Sequence, residues 1–299
     1  MLETRIGKLK LKNPLIMASG TYGYGEEYRR FYDPSIVGAI SSKGLTYAGK
    51  DGNSGIRIWE TPSGILNSIG LENPGIEHFC QEEYQEMRSL DTGLIVNLGG
   101  NSRDDYLRGA ERLNDLDIDL IELNISCPNV KEGGLLFGLK CDSAASITRE
   151  VVDLSRHPVM VKLSPNGDPV ADLAQSVQEA GADAVSLINT VQGMAVDIAH
   201  RKPVFDNVYA GLSGPCIFPL ALRMVHQVAK AVDIPVVGLG GIASAEDVLA
   251  MLMVGASAVQ IGTMNFHDPF LVPKILQDLE AYCHENHLEN ISEIIACIK

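Results

Sequence analysis

The stretch PVMVKLSPNGDPVADLAQSVQEAGADAVSLINT, residues 158–190, carries the pattern that decides the fold. Two short apolar runs, PVMVKLS (158–164) and AVSLINT (184–190), flank DPVADLAQSVQEAGAD (168–183), whose apolar residues recur at helical spacing. Gly181 stands where that helix should stop. Short runs rich in β-branched residues read as strands buried on both faces, and a helix between two of them makes the strands parallel neighbours.

The same unit recurs along the chain. Six further runs have the strand character: PLIMAS (14–19), VGAISSK (37–43), GLIVNLGG (93–100), LIELNIS (120–126), IPVVGLGG (234–241) and AVQIGT (258–263). FPLALRMVHQVAKAVD (218–233) and SAEDVLAMLMVGAS (244–257) have helical periodicity; Ser244 followed by Glu246 and Asp247 reads as a helix start and Gly255 as a stop. Eight strand–helix units in 299 residues predict a (β/α)8 TIM barrel, with a doubly wound open sheet as the alternative. No composition break or linker divides the chain, so one domain is expected over residues 1–299.

In a barrel, side chains at the C-terminal ends of the strands converge on one mouth, so polar residues should close the strands. They do: the runs end at Ser19, Lys43, Asn97, Asn124, Lys162, Asn189 with Thr190, Gly240 with Gly241, and Gly262 with Thr263. Each taken singly is an ordinary strand stop. Together they describe a polar site.

Composition narrows what that site serves. The chain is 45% hydrophobic and 21% charged, enough apolar material for a large core. Lys plus Arg number 24 against 38 Asp plus Glu, a formal charge of 24 − 38 = −14 that argues against a nucleic-acid or anionic-membrane surface. The N-terminal MLETRIGKLKLKNPLIMASG lacks the apolar core and cleavage site of a signal peptide, and no run approaches the ~18 apolar residues of a spanning helix. The six cysteines (80, 127, 141, 216, 283, 297) are scattered without a Cys-x-x-Cys pair, which fits reduced thiols in a cytoplasm. Cys283 and His287 have metal-like spacing but no third ligand nearby, so they read as a helix surface and no metal is expected.

The last two runs end in GLGGI and QIGT, and glycine-rich turns after strands 7 and 8 of such barrels commonly hold a phosphate on backbone N–H groups. No G-x-G-x-x-G follows a strand, which disfavours a dinucleotide fold and leaves FMN, a sugar phosphate or another phosphorylated metabolite. Lys43 and Lys162 end strands in otherwise apolar surroundings, where an ammonium needs an anion or acceptors. A reduced flavin ring is one such partner; a snorkelling structural lysine and a Schiff-base lysine of a lyase are the alternatives. Asn67, Asn124, Asn129 and Asn189 each offer one C=O and one NH2, which suits the edge of a pyrimidine-type ring.

The segments SSKG, LNSIGLENPG, VNLGG, LNISCPN, VKLSPN, LINTVQGMAVD, GLSGP, GLGGI and QIGT resemble, in order and spacing, the FMN-dependent dihydroorotate dehydrogenases from about Leu9 to Phe270. LNSIGLENPG and the LINTVQGMAVD…RKPV run resemble most the catalytic subunit of class 1B, the NAD-linked type. The resemblance implies that Cys127 is the catalytic base. It implies that Lys43, Asn67, Ser68, Ile69, Gly70, Leu71, Asn124, Asn129, Asn189 and Thr190 contact the substrate. It implies that Ser19, Lys43, Gly44, Asn97, Asn124, Lys162, Ile188, Gly214, Gly240, Gly241, Gly262 and Thr263 hold FMN.

A thiol in this position suits the reaction, which removes a proton from C5 of dihydroorotate and a hydride from C6. Only a few per cent of an ordinary thiol is ionised at neutral pH, so local lowering of its pKa is expected. The competing reading is a small buried hydrophobe. Tyr22 and Tyr24 in TYGYG, and Tyr209, Ala210 and Cys216 in YAGLSGPC, depart from the family pattern at places that bear on the flavin edge or subunit contacts. If the class 1B resemblance holds, electrons bound for NAD+ need a second subunit, since this chain has no dinucleotide fingerprint and no iron–sulfur cysteine cluster, and the resemblance implies that this partner carries FAD and a [2Fe–2S] cluster. The expected assembly is a homodimer within a heterotetramer, with a fumarate-linked class 1A enzyme as the alternative. The first strand near residue 14 leaves no room for the membrane-binding region of a quinone-linked type.

Overall fold

Period-two alternation gives each short strand an outward and an inward face, and the two faces have different chemistry all round the molecule. The computed structural model describes residues 1–125 and 137–298. The eight predicted runs form β1 (Leu15–Met17), β2 (Ala39–Ser41), β3 (Gly93–Leu98), β4 (Leu120–Asn124), β5 (Val159–Lys162), β6 (Ala184–Leu187), β7 (Val236–Leu239) and β8 (Ala258–Ile261). Each pairs in parallel with the next and β8 pairs with β1, closing the barrel and overturning the open-sheet alternative.

Leu15, Met17, Ile40, Val96, Ile121, Val161 and Val185 point outward into the apolar layer beneath the helices. Ile16, Ala39, Ile95, Leu120, Met160, Ala184, Val237 and Ala258, one from each strand, form a separate buried cluster inside the barrel. Ile6 and Leu11 join this floor from an N-terminal hairpin in which Thr4–Ile6 pairs with Leu9–Leu11. Two residues further along six of the strands, the inward positions become Ser41, Asn97, Glu122, Lys162, Ser186 and Gln260. The barrel interior is thus apolar at its base and polar above.

The outer layer contains α1 (Arg103–Leu113), α2 (Cys141–Leu154), α3 (Val170–Glu179), α4 (Phe218–Ala229), α5 (Ala245–Met253) and α6 (Leu271–Glu285). The Ser244 hydroxyl accepts from Asp247 N at the start of α5, as its sequence position predicts. Gly181 and Gly255, with φ of 100° and 115°, lie beyond the ends of α3 and α5. Polar side chains pin the lower strand ends: Asp119 accepts from Leu94 N and Asp183 from Val159 N, each at 2.8 Å.

Two features depart from the sequence reading. The connections after β2 and β6 build a four-stranded antiparallel sheet in the order Val191–Met194, Tyr209–Ser213, Gly64–Asn67, Ile58–Thr61. Because both connections leave the C-terminal ends of strands, this sheet stands at the mouth side. Cys283, expected on a helix surface, is fully buried in the core, while His287 lies beyond the end of α6 with φ of 57°. Among the described residues no group of three metal-ligating side chains is present, and no helix is long and apolar enough to cross a membrane.

If the hairpin plugs the barrel floor, Leu11→Ala should destabilise the protein by about 2–5 kcal/mol, the range for a buried leucine that leaves a cavity. Urea unfolding should show a lower midpoint with an unchanged slope.

Candidate active site

Five strands bring their polar side chains to one carboxylate on a sixth. Glu122, in the middle of β4, is fully buried. Its Oε1 accepts from Ser186 Oγ at 2.9 Å and Gln260 Nε2 at 2.6 Å. Its Oε2 accepts from Ser41 Oγ at 3.2 Å and Asn97 Nδ2 at 2.6 Å, and Lys162 Nζ stands 3.7 Å from the same oxygen. Burial pushes a carboxyl up, but here Lys162 and the hydrogen bonds from Gln260, Asn97 and Ser186 together outweigh it and hold Glu122 below the ordinary range. Lys162 was expected to need an anion or acceptors, and the chain itself supplies a carboxylate.

The carboxylate also sets the direction of the amides above it. An ionised carboxylate only accepts, so Asn97 must turn its NH2 toward Glu122 and its Oδ1 away. That Oδ1 accepts from Asn124 Nδ2 at 3.4 Å, and Asn124 Oδ1 accepts from Asn189 Nδ2 at 3.4 Å. Asn189 Oδ1 takes the Thr190 backbone N–H at 2.7 Å. The row is therefore pinned at both ends, and Asn124 and Asn189 are only half-buried at the mouth. The Tyr106 hydroxyl donates to Asn124 O at 3.0 Å, bracing the end of β4 from α1.

The other expected residues surround this row. A Cβ on Gly44 would lie 3.0 Å from Asn97 Oδ1, 2.8 Å from Leu71 Cδ1 and 3.9 Å from Ser19 Oγ, so glycine here is what lets the ends of β1, β2 and β3 and the 67–71 segment meet. Asn67 donates to Gly211 O at 3.3 Å, and Ser68 Oγ accepts from Asn53 Nδ2 at 3.0 Å. Ile69, Gly70 and Leu71 follow on the same segment, Leu71 with φ of 58° and its carbonyl accepting from Asn73 Nδ2. Lys43 is half-buried and makes no hydrogen bond or ion pair with its side chain among the described residues; it lies close enough to Glu72 to help Arg57 lower that carboxyl.

On the opposite side of the mouth, Gly240 packs near Ile188, whose Cγ1 would be 3.4 Å from a Cβ there. Gly241 has φ of 78°, and a Cβ on it would meet Gly214 O at 2.8 Å and Phe218 N at 2.7 Å. Gly262 lies beside Ala18 and Thr21, next to Thr263. Among the described residues the backbone N–H groups of Gly241, Gly262 and Thr263 donate to no protein acceptor. Cys127 and Asn129 lie outside the described residues.

Sequence reasoning missed Glu122, Ser41, Ser186 and Gln260. The signal was present: a glutamate inside LIELNIS and a glutamine inside AVQIGT interrupt otherwise apolar strands. Of the departures noted in the sequence, Tyr22 is fully buried and stacked on Tyr28 with centroids 3.9 Å apart, and its hydroxyl bonds that of Tyr32. Burial pushes the Tyr22 phenol far above its ordinary value. Tyr209 and Cys216 are exposed on and beside the added sheet.

The chain matches the family described as dihydroorotate dehydrogenase over residues 1–283. It belongs to the dihydroorotate dehydrogenase family. It is 48% identical over 296 residues, 98% of this chain and 99% of the relative, to the dihydroorotate dehydrogenase B (NAD(+)) catalytic subunit of Petrotoga mobilis. The proteins of the same description from Thermoanaerobacter pseudethanolicus and Bacteroides fragilis are 47% and 45% identical, each covering 100% of this chain and 99% of the relative. The similarity therefore runs through the mouth, the added sheet and the barrel floor alike.

The Glu122 network makes a pH prediction with a defined sign. In the wild type, a carboxyl lowered on folding adds stability above its unfolded pKa and loses it as pH falls. Asn97→Asp would put a second carboxylate at the 2.6 Å contact, so that one carboxyl of the pair is raised instead. The stability of that variant relative to wild type should fall as pH is raised above about 4, measured by urea midpoints across the pH range.

Proposed function

We propose that this chain is the catalytic subunit of an NAD-linked dihydroorotate dehydrogenase, oxidising (S)-dihydroorotate to orotate in de novo pyrimidine biosynthesis. Family membership and near full-length similarity to NAD-linked catalytic subunits support the reading. The observation that carries it to the chemistry is the row Asn97–Asn124–Asn189 at the barrel mouth, a set of directed donors and acceptors.

The residues fit FMN. Gly241, Gly262 and Thr263 offer unclaimed N–H groups suited to a phosphate, with Gly214 and Gly240 leaving the backbone close. Ser19, Lys43, Gly44, Asn97, Asn124, Lys162 and Ile188 supply the remaining contacts of the proposed cofactor site. When bound, FMN supplies the two-electron acceptor for the hydride from C6. The chain's own work is to hold the substrate between Lys43, Asn67, Ser68, Ile69, Gly70, Leu71, Asn124, Asn129, Asn189 and Thr190. Cys127, three residues beyond Asn124, removes the C5 proton as thiolate, and the C5–H electron pair becomes the new C5=C6 bond as the hydride leaves.

The alternative Schiff-base chemistry finds no support at Lys162, since an ammonium paired with Glu122 lacks the lone pair a nucleophile needs. Electrons reach NAD+ through a partner subunit carrying FAD and a [2Fe–2S] cluster, in a cytoplasmic heterotetramer built on a homodimer of this single-domain chain.

Purified protein should show flavin absorbance that bleaches when dihydroorotate is added anaerobically. Cys127→Ala should keep the flavin but slow bleaching by ~10²–10⁴-fold, the usual worth of a general base; bleaching at the wild-type rate would remove Cys127 from the role. NAD+ reduction should require co-expression with the partner. Efficient fumarate reduction by the lone chain, with no gain from any partner, would point to the class 1A alternative instead.

A further inference from the structure

Outside the residues proposed to touch substrate or cofactor, the most densely coordinated titratable group among the described residues is Glu122. Its register explains why. The β3–β4 pairing sets Asn97 opposite Glu122, the β4–β5 pairing sets Asn124 opposite Lys162, and the β5–β6 pairing sets Ser186 opposite Lys162. Lys162 therefore lies at the level of the mouth amides, with Glu122 one inward step below it. The oxygen nearest the ammonium already accepts from Asn97 and Ser41, and at 3.7 Å the ammonium is beyond hydrogen-bond reach of it. The coupling is between charges, in a position where both side chains are almost wholly withdrawn from water.

We infer that Glu122 is a positioning residue for the cofactor site: its carboxylate holds the Lys162 ammonium inside the barrel and offsets its charge, so that the cation presented to the flavin is half of an ion pair. This rests on the functional reading above. A bare cation beside the isoalloxazine would favour the reduced, anionic ring strongly, whereas a paired one favours it less. Glu122 thereby limits how far Lys162 raises the flavin's potential, leaving the electrons easier to pass on. A carboxylate with donors on both oxygens suits this function, because it stays charged and cannot swing toward the cofactor.

The geometry also tells how to test it. Glutamine at position 122 keeps the shape and still presents a C=O to Asn97 if its NH2 faces position 260. Gln260 can flip to accept there, since its Oε1 has no partner among the described residues. Glu122→Gln thus removes the charge while the amide row keeps its direction.

The experiment is a double-mutant cycle on the flavin-loaded protein with Glu122→Gln, Lys162→Met and the two combined, reading the flavin midpoint potential by dye equilibration and the urea midpoint by circular dichroism. Glu122→Gln should shift the potential upward and Lys162→Met downward, with the double variant between them and near wild type. Each single variant should unfold at lower urea than the double, because a lone buried charge is worse than none. A Glu122→Gln potential equal to or below wild type overturns the proposal, as does a double variant whose losses are merely the sum of the singles. Should Glu122→Gln fail to fold, recovery of folded protein in the double variant supports the pair, and failure of both to fold overturns it. Protein that never holds flavin would defeat the functional reading, while the urea cycle would still decide the pairing.

Discussion

A charge buried inside a barrel must be answered on every side, and the ionised side chain of Glu122 organises this molecule because its needs are met by five other strands. Donors from β2, β3, β6 and β8 reach its two oxygens, and the ammonium from β5 stands beside them. Breaking such a pair by removing one member typically costs about 3–5 kcal/mol, far more than a surface ion pair is worth. The network therefore fixes the relative register of strands that are distant in sequence. It also fixes the direction in which Asn97, Asn124 and Asn189 present their amides, which no isolated asparagine could do for itself.

The position of this network explains how the barrel separates stability from chemistry. Below it, one apolar side chain from each strand fills the interior, with Ile6 and Leu11 closing the base. Above it, the strand ends carry half-buried amides, Lys43 and the glycine turns. The polar layer lies between them, so that each amide facing the mouth is backed by a satisfied partner and does not have to be held by the ligand. A site prepared in this way loses little in reorganising when charge develops on a bound molecule.

The antiparallel sheet over the mouth extends the same logic. It draws Asn67 and the following residues down beside Gly211 from one connection, and Thr190 from another, so that the upper wall is set by backbone pairing. Ile58, Trp59, Met194 and Tyr209 of this sheet are exposed. The near full-length similarity is to proteins described as catalytic subunits, a description that implies a separate partner subunit.

The sequence by itself determined the barrel and most of its mouth. Strand runs such as PVMVKLS and AVSLINT around a helical segment are local signals, legible because periodicity and helix stops depend on neighbours a few residues apart. The residues closing those strands were legible for the same reason, since a strand's last residue must lie at the mouth once the barrel is granted. What the chain could not reveal locally is which of two alternating faces Glu122 occupies, because that phase has meaning only when seven other strands are in place. Lys162 accordingly read only as a cation in need of an anion or acceptors, and which chain group supplies one, Glu122 on the adjacent strand, could not be read. The pairing of Gly64–Asn67 with Tyr209–Ser213 was hidden likewise: it joins segments some 145 residues apart, and no short-range pattern encodes a contact made only after the barrel has brought both connections to one end.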